Sequence, residues 1–138
     1  VKLKSEILIC IIDDDSINNF LNKMLINQYD SAIQVSEHLD GIYALNWLEK
    51  TIRNGGVIPG IILLDINMPI MSGWEFLYEL HKKEIPKDLK IHIYILSSSV
   101  YPKDIERAKE DPNIKGFLSK PLNSEKIEQV ISEYLQVD

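Results

Sequence analysis

The chain alternates short apolar runs with segments whose apolar residues recur at helical spacing. Continuous runs at Ile7 to Ile12, Ile61 to Leu64 and Ile91 to Leu96 predict strands buried on both faces, as in a parallel sheet. Weaker signals place an edge strand over Ala32 to Val35 and a brief fifth strand over Gly116 to Leu118. Between them lie helical patterns. The first follows Asp15 or Ser16 as cap and offers Ile17, Phe20, Leu21, Met24 and Leu25 as its apolar face. The second runs from Gly41 to Arg53, stopped by Asn54-Gly55-Gly56. The third contains Trp74 and ends near Lys83, ahead of a loop over Glu84 to Lys90. Pro102 opens a short, thinly apolar fourth helix with Ile105 and Ala108 inward, expected to dock loosely. Asn123 or Ser124 caps the last, whose stripe is Ile127, Val130, Ile131, Tyr134 and Leu135.

Five strands alternating with five helices predict an α/β domain, a parallel sheet covered on both faces. At 138 residues the chain suits one domain with a single substantial core. The net charge of −6 argues against nucleic acid as a direct partner. No apolar run reaches membrane-spanning length, and Glu6 after Lys2 and Lys4 does not fit a signal peptide. Cys10, the single cysteine, is expected to be a buried structural thiol, consistent with a cytoplasmic setting.

In open parallel sheets ligands bind at the carboxyl ends of the strands. Strand one ends in Asp13-Asp14, strand three in Asp65, strand four in Ser97, and strand five in Lys120. Carboxylates gathered there raise one another's pKa, and a hard divalent cation or the Lys120 ammonium relieves the repulsion. Magnesium suits these residues better than a transition metal, because no Cys or His is among them. A strand-end carboxylate beside a cation and a lysine, with a hydroxyl opposite, is an arrangement for accepting a phosphoryl group on Asp65.

Four segments in this order and spacing, IIDDDS (Ile11 to Ser16), LLDINMPIMSG (Leu63 to Gly73), ILSSS (Ile95 to Ser99) and FLSKP (Phe117 to Pro121), carry a family likeness. The chain resembles a response-regulator receiver domain of two-component signalling, of the single-domain chemotaxis-regulator kind, over essentially its whole length. The resemblance implies a flavodoxin-like (βα)5 three-layer sandwich with sheet order 2-1-3-4-5 and one receiver domain over residues 1–138, without an output domain. It implies that Asp65 is phosphorylated, that Asp14, Asp65 and the Asn67 backbone carbonyl ligate Mg²⁺, and that Asp13 holds a metal-bound water. Ser97 takes the family's switch hydroxyl position, Phe117 its rotating aromatic, and Lys120 its lysine before proline. Phe117 is often Tyr in the family, so here any switching would rest on packing. Asp15 is read as a helix-start charge and not as a ligand.

The expected donor is a sensor histidine kinase or a histidine phosphotransfer protein. The expected output is an unknown protein effector on the surface of helix four, strand five and helix five, including Tyr101, Lys103, Glu106 and Lys109. Neither membrane nor nucleic acid is expected as a partner. An enzyme of the haloacid-dehalogenase type would need a second Asp two residues after the nucleophile, where this chain has Asn67, which cannot shuttle a proton. The protein is therefore not expected to turn over substrates. A docking module that takes no phosphoryl group is the alternative, and the joint presence of Asp13, Asp14, Asp65, Ser97 and Lys120 weighs against it. Bland roles are expected elsewhere: Trp47, Trp74 and Phe76 as packing residues, and His38, His81 and His92 as surface or edge residues.

Overall fold

Every strand pairing is parallel, and the sheet order is β2-β1-β3-β4-β5. The structure is a computed structural model that describes residues 7–83, 85–86, 89–99 and 101–136. Along the chain run β1 (Leu8–Ile12), α1 (Ser16–Tyr29), β2 (Gln34–His38), α2 (Gly41–Arg53), β3 (Ile61–Leu64), α3 (Gly73–Lys82), β4 (His92–Ser97), α4 (Pro102–Glu110), β5 (Ile114–Ser119) and α5 (Ser124–Gln136). Of the expected loop over Glu84 to Lys90, Glu84, Lys87 and Asp88 lie outside the described residues, as do Lys2, Lys4 and Glu6.

Strand alternation divides the core in two. Cys10 and Ile12 of β1, Ile62 and Leu64 of β3, and Ile93 and Ile95 of β4 face Ala44, Leu48, Phe76, Leu77, Leu80 and Ala108 from α2, α3 and α4. Ile9, Ile11, Ile61, Leu63, Tyr94, Leu96 and Leu118 face Ile26 of α1 and Ile127, Val130 and Ile131 of α5. This is the expected three-layer sandwich. Cys10 is 1% exposed, and burial pushes its thiol pKa up to about 12, which keeps it protonated and inert.

Two strand bounds and one burial expectation need correction. The second strand spans Gln34–His38, beyond the Ala32 to Val35 expected, because its polar residues are tolerated at an open sheet edge and carry no apolar signal. The fifth strand likewise extends past Gly116 to Leu118, to Ile114–Ser119. His92 is buried, not an edge residue: it opens the inner strand β4 and meets the Tyr134 ring edge-on at 5.2 Å.

The largest departure concerns α1. Ile17, Phe20, Leu21 and Met24 are exposed, while Asn19, Asn22 and Ile26 are buried and Leu25 and Tyr29 pack beside them. Three local hydrogen bonds accompany this rotation of the helix. Asp15, not Ser16, caps it by accepting from the Ile17 and Asn18 N–H groups, and the Asn19 amide donates to the Asp13 carbonyl at 2.9 Å. The asparagine-bearing side is thereby turned toward the sheet and the more apolar side toward solvent.

Candidate functional site

The loop after β1 is held by the sheet itself. The Asp13 N–H donates to the His38 carbonyl, extending the β1–β2 ladder past Ile12, and the Asp65 N–H donates to the Ile12 carbonyl from the other side. Asp13 and Asp65 are thus presented at the carboxyl ends of adjacent strands. Both are buried, whereas Asp14 is exposed. Ligand oxygens of Asp13, Asp14 and Asp65 all lie within 4.8 Å of one another. Asp15 caps α1 and is not in this group.

Each carboxylate has defined partners. Asp13 Oδ1 accepts from the Asp15 N–H at 3.0 Å; its Oδ2 accepts from Lys120 Nζ at 2.7 Å and from Asn18 Nδ2 at 3.0 Å. Asp65 Oδ1 accepts from the Asn67 N–H at 3.2 Å, and its Oδ2 lies 3.5 Å from Lys120 Nζ. Burial raises the Asp65 pKa, the Asp13 charge raises it further, and Lys120 opposes both. Burial would lower the Lys120 pKa, but its bonds and attraction to Asp13 and Asp65 outweigh that and leave it raised. The pocket therefore holds more negative charge than one ammonium neutralises. An all-oxygen donor set of this spacing fits a small hard divalent cation.

Ser97 and Phe117, the residues expected at switch positions, lie on the adjacent strands β4 and β5. Ser97 is fully buried at the end of β4, where its carbonyl accepts from the Lys120 N–H at 2.9 Å. Ser97 Oγ accepts from the Ser99 N–H at 3.0 Å, and Ser99 Oγ donates to Asp104 Oδ2 at 3.1 Å. Phe117 pairs with Ile95 across β4 and β5 and is half-buried on the α2–α4 side. Asn67 follows Asp65 closely enough for its own N–H to reach the acid.

Several contributors were not anticipated. Trp74 packs on the core as expected, yet its Nε1–H also donates to Asp104 Oδ1 at 3.3 Å, with the Arg107 guanidinium 4.4 Å from its ring centre. A chain of contacts thus runs from Ser97 through Ser99 and Asp104 to α3. Gly73 is required sterically, since a β-carbon there would fall 2.4 Å from the Asp65 carbonyl oxygen. Ile70, between these two residues, has φ of 71°, a strained setting for a β-branched residue. Asn18 had only the weak signal of two consecutive asparagines in a helix's first turn.

Known proteins resemble this chain in sequence and in fold. The sequence model of the response regulator receiver domain matches residues 9–132. A protein-glutamate methylesterase/protein-glutamine glutaminase of Treponema denticola is 34% identical over 93 residues, 67% of this chain and 22% of that protein. A peroxide stress-activated histidine kinase of Schizosaccharomyces pombe is 29% identical over 86% of this chain and 7% of its own length. The chain thus spans less than a quarter of either relative. Among solved structures, a two-component response regulator from Cytophaga hutchinsonii superposes with a TM-score of 0.85 at 31% identity, covering 93% of this chain and 96% of that one.

Proposed function

The chain belongs to the response regulator receiver domain family, and we propose that it works as a phosphoryl-accepting switch with Asp65 as the acceptor. The observation that carries this reading is the placement of Asp65: buried, raised in pKa by its surroundings, and flanked by Asp13, Asp14 and the Lys120 ammonium. Asp13, Asp14, Asp65 and the Asn67 carbonyl are the groups that would hold Mg²⁺, whose charge offsets that of the incoming phosphoryl oxygens.

The donor is a histidine kinase or a histidine phosphotransfer protein. An Asp65 carboxylate oxygen attacks phosphorus, the P–N bond to the donor imidazole breaks, and that nitrogen keeps the electron pair. Lys120, 3.5 Å from Asp65 Oδ2, turns from Asp13 toward the new phosphoryl oxygens. Ser97 donates its hydroxyl to another of them. Asn67 supplies no second carboxylate for rapid hydrolysis, which supports a signalling role over turnover.

Movement of Ser97 loosens the Ser99–Asp104 contact, α4 shifts, and Phe117 repacks. α4 is suited to moving, since Ala108 is its only buried residue. The surface of α4, β5 and α5, with Tyr101, Lys103, Glu106 and Lys109 exposed, then presents a different face to a protein effector. The test is intact-mass analysis after incubation with acetyl phosphate or a phosphorylated donor, with and without Mg²⁺. A Mg²⁺-dependent, hydroxylamine-labile adduct is expected. Absence of any adduct with either donor would favour a docking module instead.

A further inference from the structure

Asp13 occupies an unusual position in the pocket, because none of its acceptor atoms is idle. Its carbonyl takes the Asn19 amide at 2.9 Å, its Oδ1 takes the Asp15 N–H at 3.0 Å, and its Oδ2 takes both Lys120 Nζ at 2.7 Å and Asn18 Nδ2 at 3.0 Å. Three of these four donors come from the six residues that follow it, so the start of α1 acts as a cradle for this one acid. Asn19 is 1% exposed and holds the main chain. Asn18 is half-buried and holds the side chain, on the same oxygen that Lys120 uses.

We propose that Asn18 is a positioning residue of the acid pocket, fixing the Asp13 carboxylate for a divalent cation and holding it when Lys120 turns away. This rests on the phosphoacceptor reading above only in its second half. Lys120 cannot serve as a permanent anchor for Asp13 if it also meets a phosphoryl group. A neutral amide can, because it orients the carboxylate without cancelling the charge that attracts the cation. Geometry favours this atom: a donor at the third residue of α1 points back at the preceding loop, much as a capping side chain does. Without the amide, that oxygen is held by Lys120 alone, and once Lys120 turns away only the Asp15 N–H on Oδ1 orients the carboxylate.

The test is calorimetric titration of Mg²⁺ alone into the unphosphorylated protein, wild type, Asn18→Leu and Asn18→Gln, repeated in an Asp13→Asn background over a higher Mg²⁺ range. Asn18→Leu is expected to weaken Mg²⁺ binding roughly tenfold, the size typical of losing a group that orients a metal ligand. Asn18→Gln, which keeps an amide donor, should recover most of that loss. In the Asp13→Asn background the leucine substitution should have no further effect. Unchanged or tighter binding by Asn18→Leu overturns the proposal, and so does an equal loss in both backgrounds, which would mark a packing role. Incubating the same proteins with acetyl phosphate separates the two readings. Were none to carry a phosphoryl group, the phosphoacceptor reading would fall, while the Mg²⁺ titrations would still judge Asn18.

Discussion

Lys120 Nζ lies 2.7 Å from Asp13 Oδ2, an ion pair closed between residues 107 positions apart in the chain. It joins the ends of β1 and β5, which are not neighbours in the sheet, across the edge where Asp65 stands. The Asp13 side chain is 3% exposed and that of Lys120 19%, so breaking the pair strands a buried charge. Lys120→Met should cost on the order of 2 kcal/mol in metal-free solution, a figure discounted for partial exposure of the ammonium. Mg²⁺ should return part of it. Urea unfolding with chelator and with Mg²⁺ measures both; an unchanged midpoint in chelator would contradict this account.

The raised pKa of Asp65 sets a pH dependence of opposite sign to that of an ordinary salt-bridged acid. Folded Asp65 holds its proton to higher pH than the unfolded chain does, starting from an ordinary value of 3.8. Stability is therefore lost as pH rises from that value through the folded pKa. Without metal, Asp65→Asn should melt at a higher temperature than wild type near neutrality. The gap should close as pH falls below the ordinary carboxylate value. Thermal melts in chelator across that range check the sign.

Gly73 and Asp65 are in backbone contact, with no room between them for a methyl group. The Gly73 N–H also donates to the Ile66 carbonyl at 2.9 Å, tying the start of α3 to the residue after the acid. Gly73→Ala should destabilise the domain by roughly 1–3 kcal/mol, as overpacking of a tight site does. It should also lower the rate of adduct formation from acetyl phosphate even where the variant is fully folded. Gly55, where no atom lies within reach of an added β-carbon, is the control, although its φ of 70° disfavours a side chain.

Asp104 receives hydrogen bonds from Ser99 and from the Trp74 indole, and so couples the loop after Ser97 to α3. Asp104→Ala should cost about 1 kcal/mol, since these bonds are only partly buried. It should also shift the emission of Trp74, with a Trp47→Phe background isolating the signal. In wild type that emission should change on phosphorylation; in Ser97→Ala the adduct should form with the change suppressed. Emission that is indifferent to both would remove Asp104 from the switching path.

Much of this was legible in the sequence because it rests on continuous patterns. Ile61 to Leu64 could only be a strand covered on both faces, and that fixes Asp65 at the sheet edge. Ile127, Val130 and Ile131 repeat at helical spacing and are all buried. What escaped was decided by contacts without apolar content. The strand at Gln34–His38 is an edge strand built of polar residues. Helix α1 was read from its apolar stripe, but Asp15 and Asn19 bond the backbone and rotate that stripe outward. Asn18 donates to Asp13, and Asp104 accepts from Ser99 and Trp74, through side-chain hydrogen bonds for which residue spacing gives no sign.

The phosphoryl group is expected on Asp65 and on neither of the other two acids within 4.8 Å. Borohydride reduces an acyl phosphate to an alcohol, turning the modified aspartate into homoserine. The phosphorylated protein should be reduced, digested and sequenced by mass spectrometry. Homoserine at position 65 alone, absent when Mg²⁺ is withheld and absent from Asp65→Asn, is the predicted result. Homoserine at position 13 or 14, or an adduct that persists in Asp65→Asn at wild-type yield, would contradict it.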